Sequence, residues 1–291
     1  MKILVTGAYG QLGSELQTLE EKYSNWQFLF TDADTLDITD GKAISEFFEM
    51  HSPEFIINGA AYTAVDKAES ETDAANMVNT VAPGLLAAEA KKYDAGFIHV
   101  STDYVFDGNH FQPYTEEDKV NPKAFYGESK LKGEQNCFAE NANTVVIRTA
   151  WLYSSFGNNF VKTMLRLGKE RDELNVVYDQ VGSPTYAGDL AQAIIAIAAK
   201  YEKNSGDFIP GVYHYSNEGA ISWYDFAKSI FEITGLKCTV NPILSKEFKM
   251  DAPRPFYSVL DKSKIKNNFQ LKIPYWKDSL EICLEKLLKT K

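Results

Sequence analysis

Six short runs of apolar and β-branched residues punctuate the chain, at 2–6, 27–31, 55–58, 97–101, 144–148 and 175–178. Between them, apolar residues recur at helical spacing over 11–22, 42–50, 73–92, 123–139 and 159–169. A strand that is followed by a helix re-enters its sheet parallel to itself. The alternation therefore predicts an α/β protein, a Rossmann-type doubly wound parallel sheet with helices on both faces and right-handed crossovers. After about Trp151 the pattern loosens. An Ala/Ile-rich helix is expected at 189–200, and another at 222–234, with Ser222 as its N-cap and Asp225 in its first turn. Pro210-Gly211 marks a turn. Pro242, Pro253 and Pro255 break up a loop-rich stretch before a last amphipathic helix at 275–288. The expected organisation is a nucleotide-binding domain over 1–150 with a return segment at 175–205. The remainder, 151–174 and 206–291, mainly forms a smaller α/β substrate-binding lobe over the carboxyl ends of the strands.

Composition narrows the function classes. The 291 residues are 44% hydrophobic and 24% charged, the balance of a water-soluble enzyme. No apolar run nears the roughly 20 residues that cross a bilayer. The residues before Gly7 are too few for the apolar part of a signal peptide, so the expected location is cytoplasmic. Cys137, Cys238 and Cys283 are scattered and read as reduced thiols. Four histidines without a paired spacing give no zinc motif. A formal charge of −10 argues against nucleic acid or an anionic membrane as a partner.

The first chemistry lies where the first strand runs into Gly7-Ala8-Tyr9-Gly10-Gln11-Leu12-Gly13. Glycines between a strand and a helix allow a tight turn, and they let backbone N–H groups approach a pyrophosphate. The second strand ends at Asp32, 19 residues beyond Gly13. A carboxylate there suits the adenosine ribose hydroxyls and repels a 2′-phosphate, and no Lys or Arg follows at once. NADH is therefore expected over NADPH.

Two segments have the spacing Tyr-x-x-x-Lys, Tyr126 with Lys130 and Tyr224 with Lys228. Four residues apart on a helix, each pair shares a face. Only the first belongs to the nucleotide-binding half, 24 residues after Thr102 at the end of the fourth strand. Hydride delivery to a carbonyl leaves an alkoxide that needs a proton. A phenol with an ordinary pKa of about 10 gives it up more readily beside an ammonium. Tyr126 is thus the expected proton donor, with Lys130 its tuner and a ribose ligand, and Thr102 is a hydroxyl for the developing oxyanion. The alternative is a packing tyrosine beside a solvated lysine.

The glycine-rich start, Ser101-Thr102-Asp103-Tyr104-Val105-Phe106-Asp107-Gly108 and the Tyr/Lys pair resemble the extended short-chain dehydrogenase/reductase family. Within it, the segments 58–69, 148–153, 157–160, 179–185 and Arg254-Pro255 with Ser258 resemble the dTDP-4-dehydrorhamnose reductases over nearly the whole chain. That resemblance implies reduction of dTDP-4-dehydro-β-L-rhamnose at C4 by NAD(P)H. It implies that Gly10, Gln11 and Leu12 meet the cofactor phosphates, that Asp32, Asp37 and Ile38 surround the adenosine, and that Ala61, Tyr62 and Thr63 run towards the nicotinamide. Thr102, Asp103 and Trp151 would face the sugar. Asn158, Asn159, Gln180 and Arg254 are further substrate-side candidates, Arg254 because a guanidinium grips a pyrophosphate. Some members form a magnesium-bridged dimer, for which Asp189, Glu281 and Glu285 are candidate ligands and a homodimer the implied assembly. The competing readings are a sugar-nucleotide epimerase or dehydratase, another 4-keto-sugar reductase, and a non-catalytic relative that regulates methionine adenosyltransferase. A dehydratase usually has two acidic residues after its threonine, whereas Asp103 is followed here by Tyr104.

Overall fold

The computed structural model describes residues 1–289. Its first half alternates strand and helix: β1 (Lys2–Thr6), α1 (Gln11–Gln17), β2 (Gln27–Thr31), α2 (Gly41–His51), β3 (Phe55–Asn58), α3 (Ala82–Lys92), β4 (Gly96–Thr102), α4 (Phe125–Glu140) and β5 (Thr144–Thr149). The second half adds α5 (Phe160–Glu170), β6 (Glu173–Val177), α6 (Ala187–Lys203), β7 (Gly211–His214), α7 (Trp223–Thr234), β8 (Thr239–Ile243), α8 (Ser263–Phe269) and α9 (Trp276–Lys289). One six-stranded sheet has the order β7-β5-β4-β3-β1-β2, and every neighbour pair is parallel. Helices cover both of its faces. All four residues of β3 and all six of β5 are consequently buried, so these strands read as unbroken apolar runs rather than alternating ones.

On one face Ile3, Val5, Ile57 and Ile147 pack with Leu190, Ile194 and Ile197 of α6; on the other Leu4, Ile56 and Phe97 pack with Ile44, Phe48 and Leu86. The strand order reverses between β1 and β3, which opens a crevice beyond their carboxyl ends.

Two sequence expectations are corrected. The strand expected at 175–178 forms, as β6, but pairs with β8 in a separate parallel ladder. The sheet's sixth strand is β7, beyond the Pro210-Gly211 turn, in a stretch expected to lie mainly in the small lobe. In β6 Glu173 and Asn175 are exposed while Leu174 and Val176 are buried, the alternation of a strand with one wet face. β7 has only four residues and begins at Gly211 with φ +143°, so its sequence signal is weak. The lobe has its own core of Val161, Met164, Leu174, Phe226, Ile230 and Leu280. Its helix α7 starts with the expected cap, a reciprocal Ser222/Asp225 capping box.

The long helix expected at 73–92 is interrupted. A helix at Thr72–Asn76 and α3 flank a π-helical segment, Met77–Val81. Pro83 has no N–H to offer the carbonyl four residues back, that of Asn79, and its ring would crowd it. That carbonyl instead meets Gly133 of α4, where an added Cβ would lie 2.0 Å away. The interruption lets α4 approach closely.

Candidate functional site

A cleft of about 890 Å³ runs along the carboxyl ends of the sheet, from Asp32 past Tyr126 to Trp151. Its floor is the glycine turn. Gly7 has φ +70°, and a Cβ there would lie 2.8 Å from the Ala60 backbone; at Gly13 it would lie 2.3 Å from the Gly7 carbonyl oxygen. Larger residues would push α1 off β1 and β3. No side chain caps α1 at Gly10, so the turn presents bare backbone, and Gly7, Gly10, Gln11 and Leu12 line the cleft while Gly13 serves packing. Asp32 accepts from the amides of Tyr9 (3.0 Å) and Ala33 (2.8 Å), which ties the end of β2 to the glycine turn. Asp37 and Ile38 line the same end. Thr39 donates to Asp37 from its amide and its hydroxyl, which holds that carboxyl below its usual pKa. Two carboxylates thus face this end. Lys130, at the other end, is the sole cation among the lining residues.

Ala61 and Thr63 line the middle. Tyr62 does not. Its hydroxyl donates to Glu71 and its amide to Asn79 on the π-helical segment, which fixes the 60–63 loop. Asn79 in turn donates to Ser129 of α4, so the loop and the helix carrying Tyr126 share one anchor.

Tyr126 and Lys130 both reach the cleft, with Thr102 and Asp103 at the end of β4 beside them. Tyr126 packs edge-on against Tyr104. Desolvation raises its pKa to about 12, with the Asp103 charge adding to the rise and the Thr102 hydroxyl opposing it. This differs from the expectation that Lys130 pulls the phenol down. Lys130 is 1% exposed, and its Nζ donates to the Val100 carbonyl (2.7 Å) and faces His99 Nε2 (3.3 Å). Burial lowers the lysine pKa to about 8. Burial also raises Asp103 to about 6, although Thr102 donates to its Oδ1 at 3.0 Å. The Ser258 hydroxyl also stands close enough to oppose that rise, though it and the buried Asp103 Oδ2 complete no hydrogen bond of regular geometry. Tyr224 and Lys228 are not among the residues lining the cleft.

At the end of the cleft away from Asp32, Trp151 takes φ +48°, a backbone that few large residues adopt. Its indole stacks on Trp223, with ring centroids 3.5 Å apart, and leaves no room for a Cβ on Gly182. Asn158 lines the cleft. Asn159 lies behind it, capping α5 and donating to Gln11 Oε1 at 2.9 Å. Gln180 is buried and donates to Ser245, away from the lining. Arg254 borders a neighbouring hollow of about 170 Å³ with Tyr104 and Lys123, paired with Asp66 at 2.7 Å while its Nη1 is buried without a partner. Sequence reasoning missed His99, Asn58, Asn79 and Trp223. Asn58 stands in the 58–69 segment but was given no role there, and the other three carry no motif, because each acts through a neighbour that is remote in sequence.

The magnesium candidates do not converge. Asp189 is buried and accepts from Ser279 and Asn217, whereas Glu281 and Glu285 are exposed on α9. Among the described residues no three His, Cys, Asp or Glu side chains gather as a metal site.

The family model described as "RmlD substrate binding domain" matches residues 1–289. A dTDP-4-dehydrorhamnose reductase of Aggregatibacter actinomycetemcomitans is 41% identical over 287 residues, 96% of this chain and 97% of that protein. A crystal structure of a dTDP-4-dehydrorhamnose reductase from Clostridium acetobutylicum superposes with a TM-score of 0.93 at 44% identity, covering 99% of this chain and 100% of that one. One from Bacillus anthracis, in complex with NADP, gives 0.91 at 39% identity over 98% and 99%.

Proposed function

The chain belongs to the RmlD substrate binding domain family, and we propose that it is an NAD(P)H-dependent reductase that converts dTDP-4-dehydro-β-L-rhamnose into dTDP-L-rhamnose. The observation that carries this reading is Tyr126, Lys130 and Thr102 meeting on one cleft with the glycine turn, in a chain about 40% identical over its length to dTDP-4-dehydrorhamnose reductases.

The glycine turn and the 60–63 loop fit a nicotinamide dinucleotide: bare amides for the pyrophosphate at Gly10–Leu12, carboxylates for the ribose at Asp32, and Lys130 near the far end. Bound there, the cofactor supplies the hydride. The chain's own residues handle the proton. With a pKa near 12, Tyr126 is fully protonated at neutral pH yet acidic enough to protonate a sugar alkoxide. The Thr102 hydroxyl orients the oxygen, and Lys130 returns charge balance to the phenolate. Arg254, with one unpaired buried N–H group, is suited to the substrate pyrophosphate beside Tyr104. Trp151 offers a flat wall to the sugar.

We propose NADH as the preferred cofactor. Asp32 and Asp37 line the adenosine end, and no cation among the lining residues stands there to receive a 2′-phosphate. The Bacillus anthracis relative was solved with NADP, so the test compares both cofactors. Loss of reduced-nicotinamide absorbance with dTDP-4-dehydrorhamnose is expected in wild type. It should fall about 10²–10⁴-fold in kcat for Tyr126→Phe with cofactor binding retained. A folded protein that binds cofactor but turns over neither form sinks the assignment.

A further inference from the structure

The proton chemistry above uses Lys130 and leaves unexplained the buried polar string behind it. Lys130 Nζ faces His99 Nε2 at 3.3 Å, His99 Nδ1 faces the Asn58 amide group at 3.0 Å, and Thr6 Oγ1 bonds the other amide atom of Asn58 at 2.7 Å. Thr6, Asn58, His99 and Lys130 are each 1% exposed or less, and they come from β1, β3, β4 and α4. Burial and the neighbouring lysine both push His99 well below its ordinary pKa, so the ring is neutral. A neutral imidazole has one N–H donor and one acceptor nitrogen. The string therefore has two self-consistent arrangements. If Asn58 donates its N–H to Nδ1 while its carbonyl accepts from Thr6, then Nε2 carries the proton. Lys130 can then accept it only as an uncharged amine. If the amide is turned over, its carbonyl accepts from Nδ1–H, its N–H donates to Thr6, and Nε2 accepts from a Lys130 ammonium. Both use the same atom positions, with amide oxygen and nitrogen exchanged.

We propose that Thr6, Asn58 and His99 are positioning residues whose hydrogen-bond polarity reverses with the charge of Lys130, keeping its Nζ on the Val100 carbonyl in either state. The inference rests on the reading of Lys130 as the partner of Tyr126. Glu134 and Cys137 lie along its own helix and favour the ammonium. Arg148 from β5 neutralises Glu134 through a bidentate pair. The packed π-helical segment contributes the uncharged Asn79 and Thr80. His99 is thus the titratable neighbour whose hydrogens respond to Lys130. With the lysine near pKa 8, the reversal falls in the working pH range of an enzyme. A hydrophobic residue in place of His99 would leave the lysine at the carbonyl alone and take away the acceptor that favours its charge.

The test compares kcat and KM against pH for wild type, His99→Leu, His99→Gln and Lys130→Met, with nitrogen-15 NMR of the wild-type imidazole over the same range. His99→Leu should lower kcat and move its alkaline limb down by about one pH unit. KM for the keto-sugar should stay within about twofold, and His99→Gln, whose amide can also donate or accept, should recover most of the loss. In wild type the proton should pass from Nδ1 to Nε2 as pH rises through that limb. A His99→Leu profile that superimposes on wild type, or a tautomer that does not change with pH, overturns the proposal. If His99→Leu does not fold, the wild-type tautomer decides alone. Full activity in Lys130→Met would instead defeat the reading of Lys130, a separate outcome.

Discussion

Asp32 shows how one side chain does two jobs. Its carboxylate collects the amides of Tyr9 and Ala33, and so shapes the glycine turn, while lining the cleft near Asp37 with no cation beside it among the lining residues. On the proposed reading, replacing it with alanine removes a charge that would repel a 2′-phosphate. We expect kcat/KM for NADPH relative to NADH to rise about tenfold in Asp32→Ala; an unchanged ratio would show that the discrimination lies elsewhere. In the neighbouring hollow Arg254 offers an unpaired Nη1 despite its bond to Asp66. Arg254→Ala should raise KM for the nucleotide-sugar about tenfold or more and leave KM for the cofactor alone, as steady-state kinetics varying each substrate in turn would show. Both residues are candidates from the sequence, Asp32 by its place after the second strand and Arg254 by the resemblance. His99 was not. A histidine inside an apolar strand signals nothing until the fold sets Lys130 against it.

Among the elements, the π-helical segment Met77–Val81 has the largest consequence for the site. Pro83 withholds the N–H that would bond the Asn79 carbonyl, and through Asn79 the segment anchors both the 60–63 loop and Ser129 of the helix that carries Tyr126. Gly133 is the contact that makes the anchor possible, because an added Cβ would lie 2.0 Å from the Asn79 backbone oxygen, which has no flexible end to move aside. Gly133→Ala should therefore cost about 1–3 kcal/mol and lower Tm by several degrees. Gly41→Ala, whose Cβ would meet only a Leu85 methyl at 3.6 Å, is the matched control and should shift Tm little. Equal melting of the two variants would mean that α4 moves freely against the segment. The helical period of 73–92 was read correctly. The break inside it was not, because a proline one turn into a helix is compatible with either a continuous or a bulged path.

For the molecule as a whole, the site carries a cost in stability. Asp103 is 2% exposed, and burial raises its folded pKa to about 6 from an ordinary 3.8. In that window the folded state holds a proton that the unfolded state has released. The contribution of Asp103 is therefore fully present below pH 3.8 and is lost as pH rises through about 6. The loss is on the order of 3 kcal/mol, from 2.2 pH units at about 1.4 kcal/mol each. Asp103→Asn does not titrate. Its Tm relative to wild type should climb from pH 4 to pH 7 while its activity falls, and a difference in Tm that is flat with pH would contradict the assignment. Among the described residues no helix is long and apolar enough to cross a membrane, and all three cysteines are buried and free.

The sequence by itself determined the alternating β/α order, the glycine turn and the Tyr126/Lys130 pair. These rest on local regularities, such as a period of hydrophobicity, a backbone that only glycine tolerates and a spacing along one helix face, that are complete within a few residues. Only the tertiary structure decided that β7 rather than β6 closes the sheet, that Asn159 and Gln180 stand behind the cleft, and that Lys130 points at His99. It also decided that Tyr126 is raised rather than lowered in pKa. Those outcomes depend on which segments, distant in sequence, exclude water from one another, and burial of that kind sets pairing, orientation and proton affinity together.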